Sequence, residues 1–189
     1  MKKLTFILLL GGLLSANAHA DDMQDRSAAS RAAVKEFAGT LQGELQAAMK
    51  AGGPVNALGV CREKAPAIAA DISKAKGWRV IRTSLKTRNA KNAPDAWETK
   101  VLQDFEKRKA AGEDPAKLEY SEMVMGGGKH EFRYMKAIVI AEGAPCLACH
   151  GDRIAPDVAA KLKTLYPDDK ATGYKTGDVR GAFSISQPM

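Results

Sequence analysis

The sequence contains few of the residues that usually carry reactive chemistry. Its 189 residues include only three cysteines and three histidines. Beyond the first twenty residues, no apolar run approaches the roughly 20 residues that a membrane-spanning helix needs. No internal repeat or low-complexity segment is present either. We therefore expect neither a membrane-spanning domain nor a repeat protein, and any chemistry must depend on very few side chains.

The N-terminus has the pattern of a secretory signal peptide. Two lysines precede an apolar run over residues 4–14, and the small-residue sequence AHA at residues 18–20 is typical of a cleavage site. The apolar run is too short to cross a bilayer, and no cysteine lies near the cut to carry a lipid anchor. We expect cleavage after Ala20, a periplasmic location, and a single domain over residues 21–189.

The charge of the chain is only mildly basic. The formal net charge is +7, and it falls to +5 when Lys2 and Lys3 leave with the signal peptide, which holds no Asp or Glu. The remaining basic residues are interspersed with acidic ones rather than clustered. We therefore expect a solvated surface and no nucleic-acid partner.

The hydrophobic pattern predicts an α+β domain with a small, mostly antiparallel sheet. Spacings of three and four residues between apolar side chains indicate helices, and β-branched or aromatic runs bounded by glycine or proline indicate strands. The predicted helices cover residues 22–50, 54–77, 94–112 and 156–166, and the predicted strands cover residues 78–84, 118–125, 131–141 and 179–186. Three glycines at 126–128 are expected to form a hairpin turn.

The second predicted helix carries a cysteine close to an irregularity. Leu58, Cys61 and Ala65 lie on one stripe at helical spacing, and Pro66 falls inside the same helix. Because proline lacks an N–H and its ring clashes with the preceding turn, we expect a kink near Lys64 and Ala65. Cys61 then faces inward, just ahead of the kink.

The other two cysteines lie in the sequence CLACH, residues 146–150. This CxxCH spacing is the signature of c-type haem attachment. Two thiols on one turn can form thioether bonds to the two vinyl groups of haem, and the adjacent histidine reaches the iron as an axial ligand. We therefore predict one covalently attached haem c, with Cys146 and Cys149 as its anchors and His150 as one iron ligand.

Three other uses of the cysteines compete with haem attachment. A thioredoxin-type redox pair needs a βαβ context that is not visible, and it gives the histidine no role. A zinc site of Cys61, Cys146, Cys149 and His150 would place two adjacent residues on one tetrahedral ion. A structural disulfide remains a third alternative.

The residues alone leave the second axial ligand of the iron open. Besides His130 and Cys61, the mature chain offers methionines at positions 23, 49, 123, 125, 135 and 189. Methionine is more often core filling than a ligand, His130 follows a glycine turn, and a buried cysteine is equally often a small apolar residue. A vacant position is a further alternative.

The position of the motif separates this chain from the common cytochrome classes. Small electron carriers of the usual type have CxxCH near the N-terminus and a methionine ligand well downstream, whereas here only Met189 follows His150. The four-helix c-prime type has the motif near the C-terminus, but a helix bundle has no place for the predicted strands. A peroxidase would need distal acid–base groups, for which only His130 remains, so we expect no enzyme.

Several spaced motifs resemble the Tll-type haem c domain, a family of small secreted proteins and extracytoplasmic sensor regions of signalling receptors. The resemblance covers nearly all of the mature chain and rests on VCREKAPAIAADIS (60–73), RTSLKTRNAKNAPDAWE (82–98), the strand before CLACHG, and YPDDKATGYKTGDVRGAFSIS (166–186). It implies a PAS-like antiparallel sheet flanked by N-terminal and connecting helices. It also implies His/Cys ligation of the haem iron, which makes Cys61 the ligand opposite His150.

The implied ligation leads to two expectations for function. A thiolate stabilises ferric iron, so reduction is expected to weaken the iron–sulfur bond. Departure of Cys61 would open a position for CO, NO or O2, as a redox or gas sensor requires. In the alternative, a low-potential electron-transfer cytochrome, Cys61 stays bound in both states.

The expected partners follow from these two functions. A sensor needs a partner such as a membrane signalling receptor, an electron carrier needs a redox partner, and a homodimer is a further candidate assembly. The haem propionates need cationic or hydrogen-bonding groups, for which Arg82, Lys86 and Arg88 are candidates. A solvated basic loop is the alternative for each of these three residues.

Overall fold

The computed structural model describes residues 14–126 and 129–189, and this part of the chain forms an α+β domain. The helices are α1 (Leu14–Gly59), α2 (Ala65–Lys76), α3 (Ala96–Ala110), α4 (Leu147–His150) and α5 (Pro156–Leu165). The strands are β1 (Arg79–Thr83), β2 (Glu119–Gly126), β3 (Lys129–Val139) and β4 (Val179–Pro188). The predicted fold class is confirmed.

The four strands form one antiparallel sheet in the order β1-β4-β3-β2. β2 and β3 pair as a hairpin, as predicted, although the glycines at 127 and 128 lie outside the described residues. β4, the last strand in sequence, is inserted between β1 and β3. The order of the strands therefore depends on contacts between distant parts of the chain.

Apolar side chains cover both faces of the sheet. On one face, Phe37 of α1 and Ile72 of α2 pack in one cluster with Phe132, Tyr134 and Ile185. On the other face, the buried stripe of α3 packs against the sheet; this second cluster contains Val101, Leu102, Phe105, Met135 and Ala182. The sheet is thus the middle layer of three, and α1 with α2 forms the layer that borders the functional site.

The first helix is interrupted at the predicted position. Gly52 and Gly53 have non-helical backbone angles, and Gly53 has a φ of 68°, which glycine adopts without strain. The helical path resumes at Pro54, as its fixed φ favours. α1 begins earlier than predicted, within the predicted signal peptide, whose first thirteen residues lie outside the described part. In residues 14–126 and 129–189, no helix is both long and apolar enough to span a membrane.

The irregularity predicted from Pro66 is present as one wide helical turn. Residues Val60–Lys64 form a π-helical segment, in which the Ala65 N–H bonds to the Val60 carbonyl five residues earlier. Pro66 has no N–H to give to the Arg62 carbonyl, so a regular α-helical bond is not available there. π-Helical turns are frequent at functional sites, and this one contains Cys61.

Candidate functional site

Nearly all of the predicted site residues line one cavity in the described part of the chain. It lies between α1, the π-helical segment, the adjoining ends of β1, β3 and β4, and the CLACH sequence. The predicted residues on its wall are Cys61, Arg82, Arg88, Cys146, Cys149 and His150. Lys86 is not part of the wall: its Nζ donates to the Thr172 carbonyl and lies 4.4 Å from the ring centroid of Tyr174.

The CLACH sequence forms a single helical turn after β3. The His150 N–H bonds to the Cys146 carbonyl at 2.9 Å, and the His150 carbonyl accepts from the Tyr174 N–H at 2.9 Å. Gly151 ends the turn, where an added Cβ would lie 2.7 Å from the Leu147 carbonyl oxygen. A glycine is therefore needed at this exit, and the turn brings both cysteines and the histidine to the same cavity wall.

His150 is held as a neutral imidazole between a backbone carbonyl and an arginine. The Ala171 carbonyl oxygen lies 2.8 Å from Nδ1, and Arg180 Nε lies 3.2 Å from the same nitrogen. The carbonyl can only accept and the arginine can only donate, so the two contacts require opposite tautomers. The shorter contact, to Ala171, favours a proton on Nδ1, which leaves Nε2 free for a metal. Burial, reinforced by the charges of Arg180 and Arg88, lowers the pKa of His150 to about 3. Neutral imidazole is the form that binds metal ions.

Arg180 is a site residue that the sequence analysis missed. The register of β3 and β4 pairs Ile138 with Gly181 and Val139 with Val179, so Arg180 is the extra residue of a β-bulge. Bulges redirect side chains next to active sites, and Arg180 reaches Ser84 Oγ at 3.0 Å as well as His150. The glycine inside the strand VRGAFSIS was the available signal, because a glycine within a strand often marks a bulge.

Arg88 connects the loop after β1 to the CLACH turn. Its Nε donates to Asp169 at 3.0 Å, and its Nη2 donates to the carbonyls of Cys149 and Ala171. The remaining nitrogen, Nη1, is buried and has no hydrogen-bond partner in the described part of the chain. A buried donor of this kind is costly unless a partner is supplied. An anionic group in the cavity would provide one.

Arg82 adds a second cation to the wall. Its guanidinium lies 5.6 Å from the ring centroid of Phe37, and burial lowers the pKa of Arg82 while the nearby Cys61 and Tyr166 oppose the shift. A desolvated guanidinium gains most from an anionic partner. With Arg88 and Arg180, the cavity therefore presents three arginines beside an apolar wall that includes Leu41, Leu45, Met49, Ile138 and Ile140.

The cysteine thiols do not have the electrostatics of a redox pair. Burial raises the pKa of Cys146 and of Cys149, the Arg88 charge lowers that of Cys149 by less, and the nearby Cys61 adds to both increases. A thioredoxin-type pair depends on a lowered thiol pKa. The zinc alternative also finds no support, since within the described ranges no three His, Cys, Asp or Glu side chains are grouped to hold a metal ion.

The cavity narrows the candidates for a ligand opposite His150. Of the histidine, cysteine and methionine side chains considered above, Cys61 and Met49 line the cavity together with the CLACH sequence. His130, Met125 and Met189 are exposed, Met135 is buried in the core beneath α3, and Met23 and Met123 pack against the cluster beneath α1. Cys61 and Met49 are therefore the two candidates for the ligand opposite His150.

The residues present fit a flat apolar group that carries carboxylates. The apolar wall suits the ring of a haem, the arginines suit its two propionates, and the CxxCH thiols and imidazole suit its vinyl groups and iron. The most specific indication of an anionic ligand is Arg88 Nη1, which is buried and has no hydrogen-bond partner in the described part of the chain.

Comparison with known proteins gives one family and one similar structure. A family model described as Tll0287-like matches residues 14–188. Among solved structures, the chain is similar to the cyanobacterial heme-protein Tll0287, with 30% sequence identity and a TM-score of 0.55. The match covers 69% of this chain and 72% of that chain. No curated protein matches the sequence.

Proposed function

We propose, because this chain belongs to the Tll0287-like family, that it binds one haem c covalently and uses the haem for redox or diatomic-gas sensing. The similarity to a solved heme-protein supports the cofactor. The observation that carries the proposal is the presence of Cys61 on the wall of the same cavity as the CLACH sequence. Two segments far apart in sequence thus contribute to one site.

Each residue of the site has a distinct role in this proposal. Cys146 and Cys149 would hold the haem through thioether bonds to its two vinyl groups. His150 offers Nε2 to the iron while Ala171 holds Nδ1–H. Arg88 and Arg82 would bind the propionates, whereas Lys86, whose Nζ bonds to the Thr172 carbonyl outside the cavity wall, has no such role in this proposal. Haem supplies the redox-active iron.

Cys61 is the ligand whose position can change. The helical stretch that carries Cys61 begins after the break at Gly52 and Gly53. It ends in the π-helical turn to which Cys61 belongs. His150, by contrast, is fixed through both its backbone and its Nδ1. A site with one fixed and one movable ligand suits a sensor, because loss of Cys61 links the state of the site to the position of a helix. The signal would pass from a periplasmic protein to a membrane receptor.

Addition of CO to the reduced protein tests the sensing proposal. We expect the wild type to bind CO slowly, because Cys61 must first leave, and the Cys61→Ala variant to bind CO rapidly with the same final spectrum. Met49→Leu is the matched control, and it should bind CO as the wild type does. Binding of CO by Cys61→Ala alone would favour the alternative, an electron-transfer cytochrome in which Cys61 stays bound.

The mass of the secreted protein tests haem attachment separately. The proposal predicts a chain that starts at Asp21 and carries the mass of one haem. A double variant with both Cys146→Ala and Cys149→Ala should lose the haem mass, whereas Cys61→Ala should keep it. A wild-type protein without added haem mass would contradict covalent attachment, whatever its spectrum.

A further inference from the structure

At the other end of the sheet from the cavity, three neighbouring strands carry soft metal-binding side chains. Met125 is the penultimate residue of β2, His130 is the second residue of β3, and Met189 follows β4 directly. None of the three belongs to the haem cavity or to a core cluster. We call these three residues the Met/His row.

The register places the three side chains on one face of the sheet. Met125 pairs with His130 across β2 and β3. Glu131 pairs with Pro188 across β3 and β4, so His130 lies opposite Met189, whose N–H donates to the His130 carbonyl at 3.1 Å. Directly opposed residues point to the same face of an antiparallel sheet, with Cβ atoms about 4.5–5.5 Å apart. The row therefore has His130 in the middle and a methionine on each side.

The exposure of the two methionines is not explained by packing. Met125 is 74% exposed and Met189 is 56% exposed, and they are two of the four large apolar side chains exposed in the described residues. Methionine is usually buried. Met125 and Met189 lie on either side of His130, which is also exposed.

The donor set selects one class of metal. Thioether sulfur is a soft ligand that favours Cu(I), and imidazole also binds copper, whereas Ca2+ and Mg2+ prefer oxygen. The carboxylate nearest in sequence, Glu131, belongs to the opposite face of the sheet because side chains alternate along a strand. Methionine side chains are long and flexible, so both sulfurs can lean toward His130.

Among the described side chains, Arg26 lies close to the row, and its charge is compensated. Arg26 Nη1 donates to the Pro188 carbonyl at 3.4 Å, while Arg26 Nε binds Asp22 at 2.9 Å. Because the ion pair offsets the arginine charge, a monovalent metal ion meets little net repulsion. We propose that Met125, His130 and Met189 form a binding site for Cu(I). This site is independent of the haem cavity.

Competition with a chromophoric Cu(I) chelator under anaerobic conditions tests the proposal on the full haem-loaded protein. We expect one Cu(I) per chain, and at least tenfold weaker binding by each of Met125→Leu, Met189→Leu and His130→Ala. Leucine keeps the apolar surface and removes only the sulfur. Met49→Leu, which removes a cavity methionine, should bind Cu(I) as the wild type does. Equal affinity in the three row variants would overturn the proposal.

A second measurement shows where the metal binds. With 13C-labelled methionine methyl groups, Cu(I) should shift the signals of Met125 and Met189 and leave those of Met49 and Met135 in place. Zn(II) at the same concentration should shift none of them, because thioethers bind it poorly. Shifts confined to Met49 would place the copper in the haem cavity, and equal shifts with Zn(II) would contradict a soft-metal site.

Discussion

At the scale of single residues, Arg88 connects three parts of the site. It binds Asp169 and the carbonyls of Cys149 and Ala171, and the Ala171 carbonyl in turn contacts His150 Nδ1. The side chains of Arg88 and Asp169 are only 6% and 10% exposed, so their ion pair is buried. Removal of one partner leaves the other charge buried without compensation.

Arg88→Met should therefore destabilise the protein strongly. We expect a loss of ~3–5 kcal/mol in the free energy of unfolding, because the Asp169 carboxylate stays buried without its partner. Urea unfolding of the haem-loaded variants measures the loss. Arg153→Met is the matched control, since Arg153 is an exposed arginine three residues after His150. A similar stability for the two variants would show that Arg88 does not carry this role.

The residues of the site differ in how far the sequence predicts them. The CLACH spacing alone identifies Cys146, Cys149 and His150 as haem-binding candidates, because their chemistry depends on local spacing. Arg180 escapes prediction because its approach to His150 depends on a bulge in the pairing of β3 and β4. Lys86 lies in a basic loop, and the sequence of that loop does not show that the Lys86 Nζ bonds to the Thr172 carbonyl.

At the scale of elements, the start of β4 depends on one glycine. Gly181 has a φ of 156°, and an added Cβ would lie 2.3 Å from the Thr83 carbonyl oxygen and 3.0 Å from Ser84 Cβ. The close approach of β1 and β4 at this point allows Ser84 Oγ to accept a hydrogen bond from Arg180. The glycine thus supports both the sheet and the bulge residue.

Gly181→Ala should lower stability, whereas Gly43→Ala should raise it. At Gly181 the methyl group forces β1 and β4 apart, and the strained φ alone costs about 1–3 kcal/mol. Gly43 lies in α1 with no neighbour within 4 Å of an added Cβ, so alanine should stabilise the helix by roughly 0.5–1 kcal/mol. Thermal unfolding of both variants measures whether each substitution lowers or raises the stability. A neutral effect at Gly181 would contradict the close approach of the strands.

The docking of α1 on the sheet includes one acid group that titrates. Glu119 of β2 accepts from Arg31 Nε at 3.0 Å and from the buried Tyr134 hydroxyl at 2.7 Å. The hydrogen bonds from Arg31 lower the pKa of Glu119 and, with that from Tyr134, outweigh the opposite effect of burial. The folded-state pKa therefore lies below the unfolded value of about 4.3. The carboxylate contributes stability above that pH and loses it as the pH falls through the folded-state pKa.

Glu119→Gln should therefore have a pH-dependent effect. At pH 7 we expect a loss of the order of 1 kcal/mol, a small value because the ion pair is partly exposed. The difference from wild type should shrink below pH ~4.3 and vanish once the wild-type carboxyl is protonated. Urea unfolding at several pH values measures it, with the exposed Glu142→Gln as control. A difference that is constant with pH would exclude the carboxylate charge as its cause.

The elements themselves are largely predictable from the sequence. Periodicity and the glycine and proline positions predict the four main helices, the four strands and the break at Gly52 and Gly53. The ends shift by a few residues because capping decides them: α3, for example, begins after Asp95, which forms a capping box with Glu98, and not at Pro94. Pro66 predicts an irregularity, but the sequence does not show that it takes the form of a π-helical turn.

At the scale of the whole molecule, the cavity and the Met/His row lie at opposite ends of the sheet. The cavity lies where β3 ends and β4 begins, and the Met/His row lies where β3 begins and β4 ends. The order of the predicted helices and strands indicates the α+β class. The insertion of β4 between β1 and β3, however, brings together distant segments, and local patterns carry no information on it. For this reason the sequence leaves the ligand opposite His150 open unless the family resemblance is used, whereas the structure brings Cys61 and Met49 to the cavity.

Electron paramagnetic resonance of the ferric protein tests most directly whether Cys61 is the ligand opposite His150. The proteins to compare are the wild type, Cys61→Ala and Met49→Leu, each with covalent haem established by mass. We predict that the wild type and Met49→Leu give the same thiolate-type low-spin signal, and that Cys61→Ala loses it. An unchanged signal in Cys61→Ala, or its loss in Met49→Leu, would contradict ligation by Cys61.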